Sequence, residues 1–68
     1  MWDQDYLNFG VVKIDGNKVK VYKSTINYQT IGVGQPVTNA SWAGGELNVT
    51  LANGTVRRYR STINYQTI

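Results

Sequence analysis

The side chains that most enzymes use for catalysis are scarce in this sequence. It contains no histidine and no cysteine, which excludes Ser-His-Asp triads, cysteine nucleophiles, disulfides and most transition-metal sites. The acidic residues are Asp3, Asp5, Asp15 and Glu46. Their spacing offers no carboxylate pair suited to general acid–base catalysis. We therefore expect a protein that is not an enzyme and that uses no metal or cofactor.

Basic residues interleaved with tyrosines are the second feature with a chemistry of its own. The chain has 7 Lys+Arg against 4 Asp+Glu, a net charge of +3. On a sheet face such residues suit single-stranded nucleic acid, because bases stack on aromatic rings while phosphates meet cations. The alternative is a solvated face that serves strand propensity and solubility. The predicted binding face consists of Lys13, Lys20, Tyr22, Arg57, Arg58, Tyr59 and Arg60.

A long internal repeat organises the chain. The segment STINYQTI occupies residues 24–31 and recurs without change at residues 61–68. At the same offset Tyr22 corresponds to Tyr59, but Val21 is replaced by Arg58. Such an identity indicates a duplicated unit. A recent gene duplication, or an engineered one, explains it without any functional role; the alternative is that both copies have the same task, either pairing in a sheet or contacting a ligand.

The repeat extends beyond this segment and defines the organisation of a single domain. With a short gap, it reaches back to Trp2 and Trp42, each of which precedes a Leu-Asn pair. We divide the chain into unit one at residues 2–31, a connector at 32–41 and unit two at 42–68. The connector holds the only proline and begins as a turn. Its end is predicted to form a short strand that leads into unit two.

The composition predicts an all-β fold. Val, Ile, Thr and Tyr dominate, as is typical of strands, and only residues 2–9 leave room for a short turn of helix. Residues 15–18 (DGNK) and 52–55 (ANGT) both match two-residue hairpin turns. Each unit then has a third strand from the repeated segment. About six strands are expected, forming a small antiparallel barrel or sheet of SH3- or OB-like size with approximate two-fold symmetry.

The two turns predict which residues face the core. With Gly16-Asn17 at the tip, the core face of unit one consists of Val12, Ile14, Val19 and Val21. With Asn53-Gly54 at the tip, that of unit two consists of Leu47, Val49, Leu51 and Val56. Arg58 then lies on the core face and must reach an edge or Glu46, since a buried unpaired guanidinium is costly. Trp2 and Trp42 are expected to fill equivalent positions at the two ends of the core.

The repeated segment also suggests a role in association. Residues 26–31 and 63–68 are uncharged, free of proline and rich in Tyr, Gln and Asn, so these two strands can pair with another chain or exchange with it. A non-catalytic protein-interaction or self-associating module is therefore the first functional prediction. Single-stranded nucleic-acid binding is the second, and a two-blade fragment of an oligomeric propeller-like lectin is the third. With no signal peptide or membrane segment recognised, a cytoplasmic location is expected.

Overall fold

A computed structural model describes residues 2–68, which form one short helix followed by two antiparallel sheets. The order of strands is β1-β2-β3 in the three-stranded sheet and β4-β5-β6-β7 in the four-stranded sheet. The prediction of an all-β fold is confirmed, whereas the prediction of six strands in one barrel or sheet is wrong. The elements are α1 (Gln4–Phe9), β1 (Val11–Asp15), β2 (Lys18–Tyr22), β3 (Tyr28–Gly32), β4 (Val37–Ala43), β5 (Glu46–Leu51), β6 (Val56–Tyr59) and β7 (Tyr65–Thr67).

The helix α1 forms in the segment that the sequence left open. Asp3 caps it, because its side chain accepts a hydrogen bond from the Asp5 backbone N–H at 3.3 Å. Gly10 ends it with a φ of 69°, a left-handed conformation that glycine adopts without steric cost. Tyr6 is the buried residue of the helix. Across residues 2–68 the structure contains no helix that is long and apolar enough to cross a membrane.

The first hairpin has the register that its turn predicts. Ile14 lies opposite Val19, and Val12 lies opposite Val21. Gly16 at the tip has a φ of 58°, which a tight two-residue turn requires. Val19 and Val21 are fully buried, but Ile14 is 42% exposed. The prediction that Ile14 belongs to the core is therefore wrong, because β1 is an edge strand and four of its five residues are exposed.

The second hairpin is one residue out of the predicted register. Leu47 lies opposite Tyr59, and Thr50 lies opposite Val56. The cause is a three-residue loop at 52–54, closed by a bond from the Leu51 N–H to the Thr55 carbonyl at 2.8 Å. Gly54, with a φ of 90°, provides the left-handed residue that completes a turn with a bulge. The sequence ANGT fits both a two-residue and a three-residue loop, so the prediction of a two-residue loop is wrong.

This one-residue difference moves every side chain of β6 to the opposite face. Arg58 is exposed, so the prediction that it intrudes on the core is wrong. Tyr59 takes the inward position and is 2% exposed. Val56, predicted to be in the core, is only half-buried and points outward beside Thr50. The other three predicted core positions of unit two are confirmed as buried: Leu47, Val49 and Leu51.

The two tryptophans meet instead of occupying opposite ends of the core. Their ring centroids lie 5.2 Å apart with an edge-to-face angle of 89°. Trp2 precedes a helix whereas Trp42 lies in β4, so the matching Trp-to-Leu-Asn spacings do not produce equivalent structures. The Trp2 Nε1–H donates to the Tyr59 carbonyl at 2.8 Å. One cluster joins both sheets and the helix: Trp2, Tyr6, Val19, Val21, Ile31, Val33, Val37, Leu47, Val49, Leu51 and Tyr59.

The connector fixes how the two sheets meet. The Val33 N–H donates to the Asn17 carbonyl, and the Val37 N–H donates to the Gly16 carbonyl, each at 3.1 Å. These bonds tie the start of β4 to the tip of the first hairpin, and β1 lies against β4. The two strands do not form a ladder. Within residues 2–68 the sheets therefore do not close into a barrel, and β3 and β7 remain as outer edges.

The tryptophan contacts predict unequal effects for two matched substitutions. Trp2→Phe leaves the Tyr59 carbonyl without its indole donor. Trp42→Phe removes a buried Nε1–H that has no hydrogen-bond partner among the described residues. Because a lost buried hydrogen bond costs about 1–3 kcal/mol, Trp2→Phe should lower the free energy of unfolding more than Trp42→Phe. Urea denaturation checks this, and equal losses contradict the assigned role of the Trp2 indole.

Candidate functional site

The outer face of the three-stranded sheet unites part of the predicted binding face. Lys13 lies opposite Lys20, and Tyr22 lies opposite Tyr28, all on the side away from the core. Tyr28 and Lys18 lie on the same face, although the sequence analysis did not predict either of them as part of it. The alternation of Lys18 with Lys20 along β2 is a sequence pattern from which Lys18 could have been predicted. The position of Tyr28 opposite Tyr22 could not be predicted, because it depends on the conformation of the loop at 23–27. We call these five residues, Lys13, Lys18, Lys20, Tyr22 and Tyr28, the tyrosine–lysine face.

The tyrosine–lysine face is compact and cationic. The rings of Tyr22 and Tyr28 lie 5.0 Å apart at 34°. The Lys13 Nζ lies 5.5 Å from the centroid of Tyr22, and the Lys20 Nζ lies 5.3 Å from that of Tyr28. Both distances are within the range of cation–π attraction. Asp15 is the acidic residue on this face, with its Oδ2 3.9 Å from the Lys20 Nζ.

The corresponding residues of unit two face the core. Arg57 and Tyr59 share the inner face of the four-stranded sheet because the register places them beside Val49 and Leu47. The Arg57 Nη1 donates to the Val33 carbonyl at 3.1 Å and to the Tyr59 hydroxyl at 3.3 Å. Its guanidinium also covers the ring of Tyr65 at 4.5 Å. Arg57 therefore has internal partners that hold the connector to β6.

The remaining predicted residues lie elsewhere on the surface. Arg58 is exposed on the outer face of the four-stranded sheet, between Asn48 and Gln66. The Arg60 Nε donates to the Glu46 Oε2 at 3.3 Å, in an exposed ion pair. The seven predicted residues consequently do not form one surface. Three of them lie on the tyrosine–lysine face, two face the core and two lie on other surfaces.

The duplicated segment keeps its local structure in both copies. In unit one the Lys23 N–H donates to the Asn27 carbonyl at 3.0 Å, and in unit two the Arg60 N–H donates to the Asn64 carbonyl at 2.9 Å. Tyr59 and Tyr65, on β6 and β7, repeat the 5.0 Å ring contact between Tyr22 on β2 and Tyr28 on β3. Each loop also exposes an isoleucine at its tip. The β2–β3 pair and the β6–β7 pair therefore have nearly the same local structure, but they turn opposite faces toward the core.

The outer edges of the two sheets have the same sequence. The strand β3 ends the three-stranded sheet and β7 ends the four-stranded sheet, and both come from the repeated segment. The bonds that close the two loops pair residue 23 with 27 and residue 60 with 64. Because hydrogen-bonded and non-hydrogen-bonded pairs alternate along an antiparallel ladder, the backbone groups of Tyr28, Thr30, Tyr65 and Thr67 point away from their sheets.

Two clefts flank the helix. The larger, of about 550 Å³, lies between α1 and the turn at Gly44-Gly45, and the Glu46–Arg60 ion pair forms part of its wall. The smaller, of about 280 Å³, lies between Lys23 of the first hairpin and Ser61 of the second. Within residues 2–68 no group of three acidic side chains is arranged to hold a metal ion. Neither cleft presents an array of reactive groups that indicates a particular reaction.

The two arginines of β6 allow a matched test of the register. Arg57→Val removes the hydrogen bonds to the Val33 carbonyl and the Tyr59 hydroxyl, and we expect it to cost about 1–3 kcal/mol. Arg58→Val changes an exposed side chain, and we expect an effect within about 0.5 kcal/mol. Urea denaturation of both variants measures the difference. A marked stabilisation by Arg58→Val would instead place residue 58 in the core.

Comparison of this chain with protein-family models, with curated proteins and with solved structures finds no match. The candidate surfaces are therefore the tyrosine–lysine face and the two edges that share a sequence.

Proposed function

We propose that this protein is a non-catalytic interaction module that associates with further copies of itself through the outer edges of β3 and β7. The observation that carries the proposal is that both edges have the same strand sequence, YQTI. An edge that fits one copy of this sequence therefore fits the other as well. The propeller-like lectin remains a prediction that no feature of residues 2–68 favours.

Both edges have backbone groups available for pairing. The alternation of the ladders directs the N–H and carbonyl of Thr30 outward from β3, and those of Thr67 outward from β7. A strand added antiparallel to either edge would satisfy these groups. This is the mode by which sheet edges recruit extended segments.

Neither edge strand contains a charged residue, a proline or a bulge, three of the features that usually prevent such pairing. Natural edge strands are protected by charged residues, proline, bulges or a covering element. The residues of β7 include no charge and no proline, and all three are exposed. By contrast, the other two edge strands, β1 and β4, lie close to each other. The unprotected edges are therefore the two that share a sequence.

The last isoleucine of the repeat supports a role outside the core. Ile31 is fully buried in unit one, whereas its counterpart Ile68 is 66% exposed. The Ile68 N–H still donates to the Val56 carbonyl at 2.9 Å, so the residue continues the strand. Packing within one chain does not require an isoleucine at this exposed position. A second copy paired with β7 would cover it.

Pairing through a single edge is expected to be weak. Two copies of a strand as short as β7 form on the order of four backbone hydrogen bonds, each contributing about 1 kcal/mol. Association itself costs at least about 4 kcal/mol. Each molecule has two edges, however, so assemblies in which both are used gain from multivalency. We therefore expect association that depends strongly on concentration and continues beyond a dimer.

Proline substitutions at the outward positions test the proposal. Thr30→Pro and Thr67→Pro each remove an N–H that no ladder within the chain uses, so the fold should persist while one edge is blocked. In sedimentation velocity at increasing concentration, the unaltered protein should form species larger than a dimer. Each single variant should stop at a dimer, and the double variant should remain a monomer.

The control retains the N–H and changes only the side chain. Thr30→Val with Thr67→Val keeps a β-branched residue and should associate as the unaltered protein does. A protein that stays monomeric at every concentration would overturn the proposal. A double proline variant that still dimerises would also overturn it, since exchange of the identical strands would then be the mode of association.

A further inference from the structure

We propose that the tyrosine–lysine face binds single-stranded nucleic acid, a function separate from self-association through the sheet edges. The face lies on the side of the sheet, whereas edge pairing uses the backbone of β3. Its residues come from three adjacent strands that two ladders hold in register. The five side chains therefore form a preorganised surface.

The tyrosine pair provides a surface on which bases can stack. Tyr22 and Tyr28 lie across neighbouring strands with ring centroids 5.0 Å apart. Tyr28 is 48% exposed, and the flexible ammonium groups of Lys13 and Lys20 are what lie over the two rings. A base can displace these side chains from the rings while they move to a phosphate. Base–aromatic stacking of this kind tolerates every sequence because each base has a π face.

The lysines provide the charge that a nucleic-acid backbone requires. Lys18 and Lys20 point to the same side of β2, about 7 Å apart along the strand, and Lys13 lies directly opposite Lys20. Asp15 compensates only part of this charge. A polyanion that follows the sheet therefore meets three ammonium groups within one small area. Charge and aromatic surface together favour a single strand over an acidic peptide, which needs only the charge.

The pair of strands β6 and β7 shows why only one copy is available for this role. Tyr59 and Tyr65 have the same ring contact, and Arg57 lies over the ring of Tyr65 at 4.5 Å. Tyr59, however, is 2% exposed, and the Arg57 guanidinium is engaged with the Val33 carbonyl. Of the two rings only Tyr65 is exposed, so this copy does not offer a pair of accessible rings to a ligand. The chain thus contains a near-identical hairpin that serves as an internal control.

Fluorescence anisotropy with labelled oligo-dT of about ten nucleotides tests the stacking. Tyr28→Ala should weaken binding about ten-fold, which corresponds to about 1.4 kcal/mol and lies within the range for loss of one base–aromatic stack. Tyr65→Ala is the matched control, because Tyr65 is also 48% exposed in the same local structure. It should leave the affinity unchanged. Equal weakening by the two substitutions would overturn the proposed location.

The charge is tested by the dependence of affinity on salt. Three lysine–phosphate contacts predict a slope of about −2 in a plot of log K against log salt for a single strand. Lys13→Gln with Lys20→Gln should make that slope shallower, to about −0.7, because one of the three contacts remains. Arg58→Gln, which changes an exposed cation on the other sheet, should leave it unaltered. An affinity that does not depend on salt would contradict the role of the lysines.

A duplex of the same length separates stacking from charge alone. Paired bases are not available to the tyrosine rings, so the duplex should bind more weakly than oligo-dT and should not respond to Tyr28→Ala. Equal affinity for the duplex, or for heparin, would show a site that recognises charge alone and would overturn the proposal. No binding of oligo-dT at low salt would overturn it as well.

Discussion

The three-residue loop at 52–54 determines which face of the second hairpin meets the core. Its closing bond joins the Leu51 N–H to the Thr55 carbonyl, and Gly54 adopts the positive φ that the bulge needs. Because side chains alternate along a strand, a difference of one residue reverses the whole of β6. Tyr59 then becomes a core residue, and its backbone carbonyl accepts the hydrogen bond from the Trp2 indole N–H. Arg58 is exposed to solvent. The packing of the helix and of both tryptophans follows from this register.

The reversed orientation also changes how the duplication is understood. Two copies with the same local structure bury opposite faces, so the same position has different surroundings in each. Ile31 is enclosed while Ile68 is largely exposed. Packing therefore does not explain why the repeated segment is identical in both copies. The copies share the loop geometry, the ring contact and the position of each strand at the edge of its sheet; of these, the edge position is a surface property in both copies.

Because the sheets do not close into a barrel, the molecule has two separate kinds of surface: the outer edges of β3 and β7, and the tyrosine–lysine face. Contact between β1 and β4 shields the inner pair of edges, and the connector bonds to Asn17 and Gly16 hold that contact in place. The outer pair remains accessible, and the tyrosine–lysine face lies on the broad side of one sheet. The proposed self-association and the proposed nucleic-acid binding would therefore use different atoms, the backbone in one case and side chains in the other.

The sequence by itself determined the strand composition, the first hairpin with its register, the strand that enters unit two, and the absence of histidine and cysteine chemistry. Each of these depends on residue type or on a turn with one favoured solution, as at Gly16-Asn17. The tertiary structure decided the second register, because ANGT suits two loop lengths and the choice depends on which face is buried. It also decided that Trp2 precedes a helix and meets Trp42, that Ile14 is exposed, and that Tyr28 joins the lysines. The burial of a side chain and the residues that it contacts depend on distant parts of the chain, so matching local sequence patterns have different roles in the two units.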